Sequence, residues 1–234
     1  MQLAPGVHRL GDDRVAFLLV VVDDGITLVD AGLPGHRRDL RRALRELGRS
    51  EADVRGIVLT HGDSDHIGFA EALRTERGVP VYVHTADARR TRGDDAPPPT
   101  ARPAWRLPAA LAFVATAIAK GGRTRRVGEV REVVDGDVLP LPGSPVVVGM
   151  PGHSPGSIAV HLPAHRVVAV GDALTTRHVL TGHAHPQLAP FTDDLAAAEA
   201  SLDRLAAIDA DVVVPGHGPA WLGTPRDLVA AVRA

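Results

Sequence analysis

An α/β (α+β) fold, two β-sheets face to face with helices outside, is predicted by two strand-rich halves of the sequence that each carry helices. Short apolar runs bounded by turn residues recur from Gly6 to Asp30 and again from Glu132 to Val214, and helix-period segments lie between and after them. A chain of 234 residues with 44% hydrophobic content can bury one substantial core, so residues 1–234 are expected to form a single domain.

In the first half, Gly6–Leu10, Arg14–Val22 and Ile26–Asp30 read as strands, with Asp23-Asp24-Gly25 as the hairpin turn between the last two. Asp30-Ala31-Gly32 closes this meander, and Asp30 serves either as a turn former or as an outer partner of a metal-binding histidine. Pro34–Leu47 places Leu40, Ala43, Leu44 and Leu47 on one helical stripe, and Gly48 stops it. Asp53–Leu59 is a buried-type strand and Ile67–Leu73 has helical spacing; Val79–His84 is a further strand.

Between that strand and that helix sits Thr60-His61-Gly62-Asp63-Ser64-Asp65-His66. Two imidazoles and two carboxylates within six residues of a loop suit zinc, or less exclusively iron or manganese. A helix cap at Asp63 or Ser64 would explain one or two of these residues, but not four.

From 87 to 126 the character changes. Arg89-Arg90-Thr91-Arg92 leads to Pro97-Pro98-Pro99, and Ala104–Ala119 is apolar and helix-competent before Gly121-Gly122. This stretch reads as an insertion that covers a pocket as a lid, with Trp105, Leu107, Leu111 and Phe113 as candidates for lining an apolar substrate site. The alternative is a helix packed on the body or on a second subunit, and a homodimer is a possible assembly.

In the second half, residues 132–134, 137–141, 146–150, 157–162, 167–171 and 211–214 read as strands. Thr192–Ile208 and Asp227–Arg233 read as helices, the former with Asp193 and Asp194 favourably placed in its first turn. His178, His183 and His185 form a second histidine group, in a loop rich in Thr, Gly and Pro that reads as a flexible pocket edge.

His61-Gly62-Asp63-Ser64-Asp65-His66 resembles the His-x-His-x-Asp-His signature of the metallo-β-lactamase fold, with Asp63 where the second histidine usually stands. Gly152-His153-Ser154-Pro155-Gly156-Ser157, Val170-Gly171-Asp172 and Pro215-Gly216-His217-Gly218 resemble the later landmarks of that family, in order. The resemblance implies a four-layer αββα sandwich of two mixed β-sheets flanked by helices. It also implies two divalent metal ions, most simply Zn2+, with Mn or Fe as options. His61, Asp63 and His153 would hold the first, Asp65, His66 and His217 the second, and Asp172 would bridge both. Asp65 would additionally steer or accept the proton of an activated water. The expected activity is hydrolysis of a small ester, lactone or thioester; an iron-dependent oxygenase, a phosphodiesterase or a non-catalytic metal-binding protein are the alternatives.

Composition bounds the rest. Without cysteine, disulfides and thiolate sites are excluded, so any zinc must use nitrogen and oxygen donors. The formal charge of -2 gives no global bias toward nucleic acid or an anionic membrane, and a small-molecule substrate is the expected partner. No apolar run is long enough for a membrane span, and no basic-then-apolar leader is read at Met1–Pro5, so a cytoplasmic location is expected. Lys120 as the only lysine, beside abundant arginine, suggests a GC-rich bacterial genome.

Overall fold

The computed structural model describes residues 1–95, 107–121 and 123–234. Seven strands run in sequence order across the first sheet: β1 (Gln2–Ala4), β2 (Val7–Gly11), β3 (Ala16–Val22), β4 (Gly25–Val29), β5 (Val54–Val58), β6 (Val81–His84) and β7 (Arg131–Val133). Neighbours are antiparallel as far as β4 and parallel from β4 to β7. The second sheet contains β8 (Val146–Gly149), β9 (Ile158–Leu162), β10 (Val167–Gly171), β11 (Val212–Pro215) and β12 (Trp221–Leu222), in the spatial order β12-β11-β10-β9-β8. Only β10 and β11 are parallel there. Both sheets are therefore mixed, as expected.

Side-chain alternation along β3 defines the layers. Leu18 and Val20 point into a core shared with Val147, Val160, Val167 and Val214 of the other sheet. Phe17 and Leu19 face the opposite way, onto Leu40 and Leu44 of α1 (Arg37–Glu46) and Leu73 of α2 (Ala70–Arg77). Phe17 and Phe69 meet edge to face, with centroids 5.4 Å apart, an arrangement worth about 0.5–1.5 kcal/mol beyond burial. On the far side, Val168 and Val170 of β10 pack on Leu202 and Leu205 of α5 (Leu195–Ala206) and Leu228 of α6 (Pro225–Val232). Helix, sheet, sheet, helix is the resulting order.

Two further α-helices among the described residues are α3 (Ala88–Arg92) and α4 (Leu107–Ala119). Ala110 of α4 packs with Val179 and Leu180, and Phe113 joins them. The other end of α4 is tied to the start of α1: Gly35 N–H donates to the Lys120 carbonyl at 2.7 Å, and Lys120 Nζ to Asp39 Oδ2 at 2.6 Å. No helix among the described residues is long and apolar enough to cross a membrane.

Several boundaries differ from the sequence expectation for identifiable reasons. Residues 137–141 form no strand beyond a single bridge between Val138 and Val146. Asp137 instead accepts the Val134 N–H at 2.8 Å in a turn, and Pro140 and Pro142 have no N–H to give a ladder. The helix expected from Thr192 begins only at Leu195, because Asp194 is its N-cap, accepting from Ala197 N–H at 2.9 Å. Strands β1 and β12 were not foreseen; both are short edge strands.

Candidate metal centre

All the motif loops emerge at the C-terminal ends of strands. β5 leads to His61–His66, β8 to His153, β10 to Asp172 and β11 to His217. The parallel pairing of β10 and β11 places Asp172 and His217 side by side, and a backbone bond from Ile158 N–H to the Thr60 carbonyl, 2.9 Å, links the two sheets beside the first loop.

The structure brings the seven candidate residues together in three overlapping groups: His61, Asp63 and His153; His61, His66 and Asp172; Asp65, His66 and His217. Within each group the donor atoms lie within 4.8 Å of one another. Asp172 is central: Oδ1 lies 3.3 Å from His66 Nε2, and Oδ2 lies 3.0 Å from His217 Nε2 and 3.8 Å from His153 Nε2. Asp63 Oδ2 is 3.3 Å from His153 Nε2 and 3.7 Å from His61 Nε2, and Asp65 Oδ2 is 3.5 Å from His217 Nε2. Donors about 2.0–2.1 Å from a tetrahedral zinc stand roughly 3.3 Å from each other, so these spacings fit the edges of a coordination shell.

Hydrogen bonding tests that fit. Among the described residues, His61 Nε2, His66 Nε2 and Asp172 Oδ1 are buried and have no partner in hydrogen-bonding geometry, the 3.3 Å approach between the last two included. Buried polar atoms are rarely left unpaired, because each then carries its full desolvation penalty. At three of the four histidines the outward nitrogen is occupied, His153 Nδ1 being the exception. His66 Nδ1 meets Asp30 Oδ2 at 2.9 Å, His61 Nδ1 meets Thr60 Oγ1 at 3.1 Å, and His217 Nδ1 meets the Arg14 carbonyl. Donation from Nδ1 at His66 and His217 leaves the Nε2 lone pairs aimed inward, the arrangement of metal-binding imidazoles. The donor set suits a divalent metal ion.

Electrostatics agree. Burial holds the His61 imidazole well below its ordinary pKa, and the neighbouring His66 adds to this, so His61 is neutral with a free lone pair. Burial also disfavours charge on His66, but the Asp30 and Asp172 carboxylates overcome it and push His66 well above the ordinary value. His217 is raised in the same way by Asp172. Burial would raise Asp172, yet His217 and His66 hold it well below the usual carboxylate range. In the metal-free protein His66 and His217 thus hold their protons to higher pH than an ordinary imidazole, and a cation has to displace them. Metal affinity is expected to rise with pH through neutrality and to level off only above the raised imidazole values; titration calorimetry at several pH values checks this, and pH-independent affinity would contradict it.

Asp30 has the geometry that each of its two readings requires. It adopts a left-handed backbone (φ 64°) at the turn, and its carboxylate takes Thr60 N–H at 2.7 Å and Thr60 Oγ1 at 2.8 Å besides contacting His66. Asp30→Ala is expected to weaken metal binding roughly 10–100-fold, the usual effect of losing such an outer partner. Unchanged affinity in a folded variant would reduce Asp30 to a turn former.

Two residues of the 87–126 stretch were not singled out in the sequence. Asp87 is fully buried and ties two motif loops together: Oδ2 accepts from Gly62 N–H and Ser154 Oγ, and Oδ1 from Gly156 N–H, all at 2.8 Å. Arg90 binds Asp63 and Asp193. Nothing in a single sequence marks them, because their partners lie far along the chain. Gly62 separates His61 from Asp63. What requires glycine there is close approach to α3, since a Cβ would lie 2.9 Å from Thr91 N.

Other candidates fall outside the cluster. Phe113 faces it, its ring 6.2 Å from that of His217 and nearly perpendicular. Leu111 is 58% exposed, which does not support the expected place in an apolar lining. Trp105 and the side chain of Leu107 lie outside the described residues. His178, His183 and His185 join none of the three groups. His178 Nδ1 accepts from Leu180 and Thr181 N–H and so shapes its own loop, while His183 and His185 stack on each other. A cavity of about 510 Å³ lies between Asp12–Arg14, α4 and the loop of Arg177 to Gly182, with Arg14 itself holding His217.

Residues 10–217 match the model of the metallo-beta-lactamase superfamily. The chain belongs to that superfamily. It is 30% identical over 232 residues to a probable metallo-hydrolase, YflN of Bacillus subtilis, spanning 93% of this chain and 85% of the relative. A metallo-β-lactamase family protein of Thermus thermophilus, TTHA1429, superposes with a TM-score of 0.70 at 26% identity, covering 97% of this chain and 79% of that one. A B3 metallo-β-lactamase described as having an active-site glutamic acid shares the fold, with a TM-score of 0.70 at 21% identity over 99% of this chain and 86% of its own. Within the superfamily this chain keeps the ordered histidine and aspartate motifs and differs from the signature at Asp63.

Proposed function

We propose that this protein is a hydrolase of small esters, lactones or thioesters that works with two divalent metal ions, most simply zinc. His61, Asp63 and His153 would hold one ion, Asp65, His66 and His217 the other, with Asp172 shared. The observation that carries this reading is the set of buried, unpartnered donor atoms on His61, His66 and Asp172, each aimed at the same centre. Two bound cations supply Lewis acidity and a water acidified to near neutral pKa.

The chain's own residues account for the rest. Asp172 lies against both groups and fixes their spacing. Asp65 has a side chain 18% exposed at the edge of the cluster, where its carboxylate can take up the proton of an attacking water. Helix α4 acts as a lid, and Phe113 offers an apolar ring beside His217 for the body of the substrate. Phe113→Ala is expected to raise KM for apolar esters several-fold with metal content unchanged, a loss of contact area without loss of a ligand. A fall in kcat alone would place Phe113 elsewhere.

The deciding experiment is metal analysis by mass spectrometry on protein purified without added metal, paired with an ester, lactone and thioester panel. One to two transition-metal ions per chain with metal-dependent turnover of one of these classes is the expected result. Metal-free protein without affinity for zinc, manganese or iron would overturn the reading. Iron with oxygen consumption in place of hydrolysis would move the assignment to an oxygenase.

A further inference from the structure

Asp63 stands where the superfamily signature has an imidazole, and Arg90 accompanies that exchange. Arg90 lies on α3, only 7% exposed, and grips Asp63 with two nitrogens: Nε donates to Oδ1 at 2.6 Å and Nη2 to Oδ2 at 3.2 Å. Its remaining nitrogen, Nη1, donates to Asp193 Oδ2 at 2.8 Å, and the Asp193 N–H donates to the His153 carbonyl at 3.1 Å. One guanidinium thus joins the two loops that carry His61, Asp63 and His153. The close packing of Gly62 on Thr91 brings α3 near enough for this grip.

Two consequences follow for Asp63. Arg90 holds Oδ1 closely, at 2.6 Å, and Oδ2 more loosely, at 3.2 Å, and Oδ2 is the oxygen that approaches His153 and His61, so the carboxylate presents one oxygen to the cluster and not a pair. The guanidinium also offsets the negative charge that a carboxylate adds where an imidazole would be neutral. For any one cation these effects oppose each other, since losing the fork loosens the ligand while losing the positive charge removes repulsion. For the choice between cations they act together. A freed carboxylate, richer in charge and able to chelate with both oxygens, suits larger oxygen-seeking ions such as Mn2+. A single fixed oxygen beside two imidazoles suits four-coordinate zinc.

We propose that Arg90 is a positioning residue that sets the metal preference of the His61–Asp63–His153 group, holding Asp63 to one-oxygen, charge-compensated donation that favours zinc over manganese. The proposal rests on the metal-centre reading above and concerns a residue that touches no metal itself.

The test measures zinc and manganese affinities by chelator competition, with the Mn2+ signal in electron paramagnetic resonance as a second readout, for the full chain, Arg90→Met and Arg90→Lys. Arg90→Met is expected to lower the zinc-to-manganese affinity ratio by about tenfold or more for one equivalent per chain, the other equivalent keeping its preference. Arg90→Lys keeps the charge but loses the fork and is expected to fall between. A purely structural role would weaken both metals alike, so an unchanged ratio in the variants overturns the proposal. Circular dichroism and melting establish folding; if Arg90→Met does not fold, Arg90→Lys is judged by the same criterion. Wild-type protein that takes up neither metal overturns the metal-centre reading and this proposal with it, whereas normal wild-type uptake with an unchanged variant ratio overturns the proposal alone.

Discussion

Asp172→Ala is expected to abolish metal-dependent hydrolysis, with a loss well beyond the roughly 10–100-fold typical of outer-partner changes. Its two oxygens lie against His66, His153 and His217, so removing it takes a donor from both groups at once. It also takes from His66 and His217, both buried, a carboxylate that they share, leaving Asp30 alone beside the one and Asp65 beside the other. His178→Ala and His183→Ala provide the contrast: neither residue joins the cluster, and both should alter substrate access at most. Turnover, metal content and melting temperature measured on all three variants decide the matter. Equal rate losses with folding intact would contradict the central role of Asp172.

Stripping the metal is expected to eliminate turnover and to lower the melting temperature together. A ligand present at 100 times its Kd stabilises the folded state by about 2.7 kcal/mol. For a chain of this size each kcal/mol shifts the melting point by about 2–4 °C, so removal of one such ion should lower it by roughly 5–10 °C. The apo protein must also keep His61, His66 and Asp172 buried with donor atoms unpaired, which acts in the same direction. Calorimetry before and after chelation, followed by re-addition of zinc, provides the check. An unaltered melting point with activity lost would mean that the cluster is already satisfied without a cation.

The layers and the clustering of the candidate ligands were readable because their signals are local. Leu18 and Val20 alternate with Phe17 and Leu19 within one strand, and four of the seven cluster residues occupy a single loop. His153, Asp172 and His217 carry short motifs of their own at strand ends. The supports were not readable. Asp87 and Arg90 look like one acid and one base in an arginine-rich run, and their partners Gly156 and Asp193 are distant in sequence. Asp193 looked like a helix-start acid beside Asp194, and only the fold shows that one caps α5 while the other reaches Arg90. Residues 137–141 read as a strand by hydrophobicity, and proline chemistry and a turn overrode it.

The distance along the chain between His61 and His217 gives the centre a second consequence. The first loop hangs from one sheet, and His153, Asp172 and His217 hang from the other. A cation held between them would close a ring through most of the polypeptide, as a long-range disulfide does in a secreted protein. This chain has no cysteine with which to make such a link. Its cross-link would be reversible, set by free metal concentration and by pH rather than by redox potential. Protection of the two sheets against proteolysis and hydrogen exchange should then rise and fall together with metal supply.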